Sequence, residues 1–224
     1  MSTVSLVRLS GLALMAGGVC IATFVVVLYP VSGFFGAEHV QHPAWVPAHS
    51  LHFIGALLSL FGLIGLYLRH REHLGTLGFA GFVLAFAGTA QFVGTGMLTA
   101  FVWPVLAAAA PATMAANGAA FAAPASLLFY FTALSLIPGY LVLSIALCRT
   151  AVLPRGASVL LAVGVVLAIT PPEPVGPIPW LALVLGGILF GAGEIWLGFA
   201  LVSDAGQART SMVAVTPFPA EVQR

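Results

Sequence analysis

Glu194 is the only acidic residue inside the long apolar segments of the sequence, where it stands in the stretch GILFGAGEIWLGFAL. An ionised carboxylate near the centre of a bilayer is costly, so such a group is protonated, paired with a partner or in contact with water. We therefore expect Glu194 to be neutral at neutral pH. It either joins two helices as a hydrogen-bonded packing group or carries a proton or cation.

Two residues of other segments are expected near Glu194. At a rise of about 1.5 Å per residue, Tyr140 reaches a depth similar to that of Glu194, and Ser59 lies near the centre of its own segment. Tyr140 follows Pro138 and Gly139, which predict a helix break that frees backbone carbonyls for a protonated carboxyl to bond. Glu194, Tyr140 and Ser59 form the predicted ligand- or proton-binding site.

A cluster of histidines precedes and enters the second apolar segment, and all six histidines of the chain lie between positions 39 and 73. His39 and His42 form one i, i+3 pair and His49 and His52 another. Each pair shares one face of a helix, which suits a Zn²⁺ or Cu²⁺ ion. With Glu38, these four histidines are the predicted outer-face metal site. The alternative is that they only pack at the membrane interface, because no further metal-binding motif occurs.

Several cofactors and enzyme classes conflict with the residues that are present. The chain contains no lysine, which excludes a retinal Schiff base and a Ser–Lys dyad. A haem held between two helices is disfavoured because the histidines belong to one stretch, which leaves a pairing of His52 with Met97. No phosphate-binding, dinucleotide-binding or nucleophile-elbow motif stands in a suitable context. The sequence therefore gives no catalytic residues and favours a protein that is not an enzyme.

The composition places these residues in a membrane protein. Of 224 residues, 61% are hydrophobic and 6% charged, and the mean hydropathy is +1.12, which excludes an ordinary soluble domain and a disordered chain. The net charge of +1, without a basic run, gives no sign of nucleic-acid binding. Because a helix needs about 20 apolar residues to cross a bilayer, we predict an all-α bundle of six transmembrane helices. They cover residues 6–29, 49–68, 74–102, 126–147, 156–171 and 179–202.

The arginines predict how this bundle is oriented. All seven fall on one side of the six predicted spans, so the positive-inside rule places both termini in the cytoplasm. Trp45, Trp103 and Trp180 then stand at the outer ends of spans, where indoles belong in the interfacial belt. The chain divides into a six-helix transmembrane domain, 1–203, and a flexible cytoplasmic tail, 204–224.

The connections between the spans follow from the same assignment. Residues 30–48, 103–125 and 172–178 are predicted to face outward. The second of these is rich in alanine and broken by prolines, so we expect a short helix, a turn and a lid on the outer surface. On the cytoplasmic side, the HREH turn at 70–73 is expected to be short and solvated.

One part of the sequence carries a family resemblance. The stretch GLIGLYLRHREHLGTLGFAGFVLAFAGTA, at 62–90, together with PVLAAAAP at 104–111, resembles a group of uncharacterised small polytopic bacterial integral membrane proteins. The shared pattern is a glycine-rich hairpin with a short charged turn, followed by a proline-marked outer loop. The resemblance implies placement in the bacterial inner membrane, and it implies no activity, cofactor or functional residue.

Three classes of function stay open for the sequence. The leading one is a multi-pass bacterial inner-membrane protein without catalytic machinery, which transports a small ligand or ion or serves as an accessory subunit of a membrane complex. Its glycine-rich helix faces, besides contacting the lipid bilayer, are candidate surfaces for a homo-oligomer or a partner subunit. The alternatives are an outer-face metal-binding protein and a membrane enzyme that acts on a lipid or a quinone.

Overall fold

The computed structural model describes residues 3–28, 35–150, 153–168 and 177–215. These residues form helices and short connections without any strand, which confirms the all-helical class. A π-helical turn, Leu98–Val102, and a 3₁₀ turn, Pro111–Met114, lie on either side of the fourth helix. In chain order the helices are α1 (Thr3–Leu28), α2 (Ala37–Val40), α3 (Trp45–Met97), α4 (Trp103–Ala109), α5 (Ala125–Thr150), α6 (Arg155–Leu167) and α7 (Pro177–Val215).

Within the described residues, four helical stretches are long and apolar enough to cross a membrane. The fifth predicted span, 156–171, corresponds to α6, whose 13 residues are apolar but too few for a full crossing. The chain is thus an all-helical protein with apolar helices of membrane-spanning length. The four stretches are Val4–Leu28, Trp45–Ala109, Ala125–Thr150 and Leu181–Asp204.

The second and third predicted spans belong to one 53-residue element, α3, which turns back on itself at Gly75. Gly75 has φ 59° and ψ −163°, a conformation open to glycine because it lacks a Cβ. Beyond this turn, the ring of Phe82 stacks on that of Tyr67 with 4.2 Å between centroids. α3 therefore has two antiparallel arms, a first arm at 45–74 and a second arm at 76–97.

This reversal corrects the prediction of a solvated turn at 70–73. Those residues are helical and end the first arm, because the chain reverses at one glycine rather than through a loop. The helical continuation turns one face of this segment inward, and His70 on that face is only 2% exposed.

The long helices pack as antiparallel neighbours through glycines, which let their backbones approach closely. For each pair of helices, the residue numbers of the contacted positions fall in one helix as the glycine numbers rise in the other. The two helices therefore run in opposite directions. A Cβ at any of these glycines would lie within 3 Å of an atom of the neighbouring helix. The contacts are Gly11 with Gly198 and Gly18 with Gly191 for α1 and α7, Gly81 with Leu143 and Gly88 with Leu136 for the second arm and α5, and Gly186 with Ala168 and Gly193 with Leu161 for α7 and α6.

This antiparallel packing gives the bundle two distinct ends. One end, which we call the arginine end, contains the start of α1, the turn of α3, the end of α5 and the start of α6. The opposite end, which we call the cap end, contains α2, the π-helical turn and α4. The arginines of the described helix termini at the arginine end are Arg8, Arg69, Arg71, Arg149 and Arg155.

The cap end has a hydrophobic cluster of its own, separate from the core of the bundle. The rings of Trp45 and Trp103 stack there at 6.0 Å and are 0% and 2% exposed. The indole N–H of Trp45 donates to the carbonyl oxygen of Thr99 at 2.9 Å. The expectation that these two indoles lie in an interfacial belt is corrected, because their rings fill the cap and one N–H is satisfied inside it. The side chain of Trp180 lies outside the described ones.

The predicted boundary between the transmembrane domain and the tail, at 203/204, falls within α7. α7 is helical to Val215, so the segment predicted as a flexible tail from position 204 begins as a continuation of that helix. Residues 216–224 lie outside the described residues.

Candidate functional site

Glu194 is fully buried in the centre of the bundle and is bonded to another helix. The hydroxyl of Ser59 on the first arm of α3 donates to Oε2 of Glu194 at 2.8 Å. The exposed fraction is 0% for Glu194 and 2% for Ser59. Two of the three predicted site residues are therefore in direct contact across two helices.

Two adjacent glycines of α1 make room for this bond. A Cβ at Gly17 would lie 2.7 Å from Oγ of Ser59, and one at Gly18 would lie 3.0 Å from Cβ of Glu194. Because α1 presents only hydrogen atoms at these two positions, side chains of α3 and α7 can meet beside it. The sequence analysis did not assign a role to this pair, although two consecutive glycines inside an apolar helix are a recognisable signal of close packing.

The second carboxyl oxygen of Glu194 has no partner, and the residue also lines a cavity. Oε1 is buried and has no hydrogen-bond partner among the described residues. A small cavity of about 10 Å³, on the order of one water molecule, is lined by Glu194 together with Tyr140, Ser144 and several leucines. The carboxyl group thus has one oxygen fixed by Ser59 and one without a partner among the described residues, in a side chain that lines a small cavity.

Tyr140 shares the cavity with Glu194 but bonds elsewhere. Its hydroxyl lies 3.1 Å from the hydroxyl of Thr89 on the second arm, and its ring packs edge-on against Phe190 at 4.8 Å. α5 continues as a helix through Pro138, so the predicted helix break is absent. The expectation that the carboxyl bonds to carbonyls freed by this break is therefore corrected. The carboxyl finds its partner in Ser59 because the glycines of α1 bring α3 closer.

The predicted metal site is divided into two unequal halves. His39 and Glu38 lie on α2, with 3.5 Å between Nδ1 of His39 and Oε1 of Glu38. His42 follows α2, and its Nδ1 accepts a hydrogen bond from the backbone N–H of Ala44 at 3.1 Å. The carboxylate of Glu38 is 74% exposed, so this half lies at the surface of the cap end.

The other two histidines are buried at the start of α3. Nδ1 of His49 donates to the carbonyl oxygen of Trp45 at 3.0 Å, and the two rings stack at 4.2 Å. The ring of His52 lies between Phe24, at 4.9 Å, and Phe92, at 3.9 Å. Neither nitrogen of His52 makes a hydrogen bond of normal geometry with the described residues.

This division does not bring together the donors that the metal hypothesis needs. Within the described residues there is no group of three or more His, Cys, Asp or Glu side chains placed to hold a metal ion. Zinc sites in proteins usually take three or four such ligands. The His52–Met97 pairing considered for haem is not formed as a shared buried site either, because Met97 is 54% exposed whereas His52 is buried.

A further buried polar contact, which the sequence analysis missed, lies at the arginine end. Nδ1 of His70 donates to the carbonyl oxygen of Leu66 at 3.1 Å, and its Nε2 lies 3.8 Å from Oδ2 of Asp204 on α7. The side chains are 3% and 32% exposed, so the pair connects the buried interior to the surface. The signal that could have found it is helical spacing, because positions 52, 59 and 70 of the first arm recur on one helical face.

That buried face extends along most of the first arm. His52 lies towards the cap end, Ser59 lies at the centre with Glu194, and His70 lies at the arginine end with Asp204. From position 52 to position 70 the helix rises about 27 Å, close to the thickness of a bilayer hydrocarbon core of about 30 Å. The structure therefore places polar groups at three depths on one buried face.

Comparisons with known proteins add no relative to this description. No protein-family model, no curated protein and no solved structure matches the chain. The resemblance to small bacterial membrane proteins stays a prediction.

Proposed function

We propose that the chain is a six-pass protein of the bacterial inner membrane with both termini in the cytoplasm. Each arm of α3 is one pass in this proposal, and α6 belongs to another. The arrangement is supported by the antiparallel packing of neighbouring helices and by the arginines, which gather at one end of the bundle. By the positive-inside rule the arginine end faces the cytoplasm.

Within this frame we propose that the protein transports an ion or small ligand and that Glu194 is its proton-binding group. The observation that carries the proposal is the asymmetry of the carboxyl group, in which Oε2 is held by Ser59 and Oε1 is unpaired, in a residue that lines a cavity. A packing group that only joined helices would satisfy both oxygens, because an unsatisfied buried oxygen costs about 1–3 kcal/mol. An acid inside a membrane-spanning helix is by default a candidate for a functional group.

Ser59 and Tyr140 have different parts in this proposal. The Ser59 hydroxyl can donate to the carboxyl in either protonation state, so it keeps the group in one rotamer while Oε1 gains or loses a proton. Tyr140 is fixed by Thr89 and lines the same cavity as Glu194. Ser144 adds a second hydroxyl-bearing residue to that lining.

Proton uptake by reconstituted vesicles tests the role of Glu194. A potassium diffusion potential, negative inside, is imposed on proteoliposomes that contain a pH-sensitive dye. We expect wild-type vesicles to acidify and Glu194→Gln vesicles not to, because an amide keeps the size and hydrogen bonding of the acid but does not titrate at neutral pH. Glu72→Gln is the matched control, since Glu72 is exposed at the arginine end, and it should behave as wild type. Equal uptake by Glu194→Gln and wild type would overturn the proposal.

The proposed topology has its own test. A reporter fused after Arg224 should be active only if it is of the type that works in the cytoplasm. Activity of a reporter that requires the periplasm would contradict the six-pass arrangement.

A further inference from the structure

We infer that Glu194 exchanges its proton with the arginine end of the bundle, through the cavity, with His70 and Asp204 as the exchange site at the surface. This inference rests on the proposed role of Glu194 and adds the side from which the group is reached. It is carried by the position of the cavity, the burial of His70 and the closed packing on the other side of Glu194.

The cavity lies on the arginine side of Glu194. Its lining on α3 begins beyond Ser59 and includes Leu66, two turns closer to the arginine end. On α7 the lining includes Leu197, one turn beyond Glu194 in the same direction. Every other lining residue, on α1, α5 and α6, lies at the depth of Glu194 or towards the arginine end.

His70 continues this direction to the surface. It stands one turn beyond Leu66 and donates from Nδ1 to the carbonyl oxygen of that residue. With the proton on Nδ1, Nε2 carries a lone pair, and this atom faces Asp204 at 3.8 Å. Asp204 is one-third exposed whereas the imidazole is buried, so a proton taken from solvent can be held between them. The other charged or titratable groups acting on His70 are Arg69 and His73.

Packing closes the opposite direction. Between Glu194 and the cap end, the ring of Phe190 lies against Tyr140, and the rings of Phe24 and Phe92 enclose His52. No lining residue of the cavity lies on that side of Ser59. The titratable groups near Glu194 are Cys20 of α1 and Tyr140 of α5, and neither provides a charged path towards the cap.

The exchange balances one proton at each step. A proton from solvent binds the lone pair of His70 Nε2, and the resulting imidazolium is paired with the Asp204 carboxylate. The proton then leaves Nε2 and is carried by water molecules, which enter between His70 and the cavity, to the carboxylate of Glu194. This step converts the carboxylate to the neutral acid and restores the neutral imidazole. Release follows the same path in reverse, and water from the arginine end is the only further participant.

The test is the rate of hydrogen–deuterium exchange at the Glu194 carboxyl, followed by infrared spectroscopy of the full-length protein in lipid. The carboxyl C=O band is assigned by its loss in Glu194→Gln, and its shift is timed after a change to D₂O. We expect His70→Phe to slow the exchange at least tenfold and Asp204→Asn to slow it several-fold. Asp204→Asn is the milder variant, because it changes a partly exposed side chain and preserves its shape.

His52→Phe is the matched control, because it removes a buried imidazole of the same arm on the cap side of Glu194. It should leave the exchange rate at the wild-type value. Unchanged exchange in both His70→Phe and Asp204→Asn would overturn the inference, as would equal or greater slowing in His52→Phe. Absence of any neutral carboxyl band assignable to Glu194 would instead contradict the proposed function, so the two failures are distinguishable.

Discussion

The central Glu194 site and the histidine pair at the cap end are both buried and polar, but they are built differently. Glu194 has a partner on another helix and small residues beside it, and it lines a cavity. His49 and His52 are surrounded by aromatic rings, and their one described hydrogen bond is to the backbone of their own helix. The first arrangement leaves space for a proton or ligand, and the second fills its space with side chains.

This difference shows that burial of a polar group is not by itself a sign of a site. Around His52 the rings provide dispersion contacts and no polar partner, which is how a large core side chain is held. Gly17 and Gly18 of α1 place no side chain against Glu194 and Ser59, and Glu194 lines open volume. Open volume beside the residue therefore distinguishes the Glu194 site from the packing around His52.

The largest loss of stability that would distinguish the cap end from the Glu194 site is expected from a substitution in the cap end. Trp45→Ala should destabilise the protein by about 3–5 kcal/mol, because it removes a fully buried ring that stacks on both His49 and Trp103. Thermal unfolding in detergent measures this loss. Trp45→Phe is the control, since it keeps a ring but not the N–H that bonds Thr99, and it should cost less. A milder loss in Trp45→Ala than in Trp45→Phe would contradict the packing role of the cap.

The next effect concerns the close approach that the central site needs. Gly18→Ala should cost about 1–3 kcal/mol, because its Cβ would lie 2.4 Å from the carbonyl oxygen of Gly191, a backbone atom that cannot move alone. Gly94→Ala is the matched control on the second arm, where no atom lies within 4 Å of the new Cβ. Unfolding of the two variants under the same conditions gives the comparison. Equal stability of the two variants would show that the contact between α1 and α7 is looser than described.

Much of the helical architecture could be predicted from hydropathy alone. Apolar segment length locates α1, α5 and α7 within a few residues of their observed starts, because a buried or lipid-facing helix needs a continuous apolar run. The reversal within α3 was predicted, but it was placed in a loop of charged residues around His70 rather than at Gly75. A single glycine with positive φ suffices to reverse the chain, and such a reversal has no polar signature of its own.

The candidate site was predictable in its parts but not in its connections. Glu194 and Ser59 were singled out by type and depth, since an acid in an apolar helix is conspicuous. The hydrogen-bond partner of Glu194 could not be predicted, because it depends on the distances between helices. These distances are set by Gly17 and Gly18 rather than by the polar residues themselves. The metal site was predicted from the sequence spacing of the four cap-end histidines. That spacing does not reveal the path of the chain between α2 and α3, and this path separates the two pairs.

A smaller effect should distinguish bonding from titration at the centre. Glu194→Leu removes the acceptor of the Ser59 hydroxyl and should cost on the order of 1 kcal/mol, the scale of interhelical hydrogen bonds in membranes. Glu194→Gln keeps an acceptor and should unfold close to wild type. The measurement is equilibrium unfolding of both variants in the same detergent. Equal losses in the two variants would mean that the Ser59 bond adds little to stability.

The smallest effect is expected from His52→Phe, and it bears most directly on the contrast between the two regions. Phenylalanine keeps a planar aromatic ring, larger than the imidazole by one ring atom, and the neighbours of His52 are already the rings of Phe24 and Phe92. The two ring nitrogens of His52 make no normal hydrogen bond with the described residues. Replacing them with carbon therefore removes unsatisfied polar atoms. We therefore expect stability to be unchanged or raised by at most about 1 kcal/mol. Zinc and copper content, measured on the same purified samples, should not differ between this variant and wild type. A stoichiometric loss of metal in His52→Phe would reverse the comparison, because a bound ion would then be the polar partner that the aromatic packing lacks, and the cap end would be a site rather than a core.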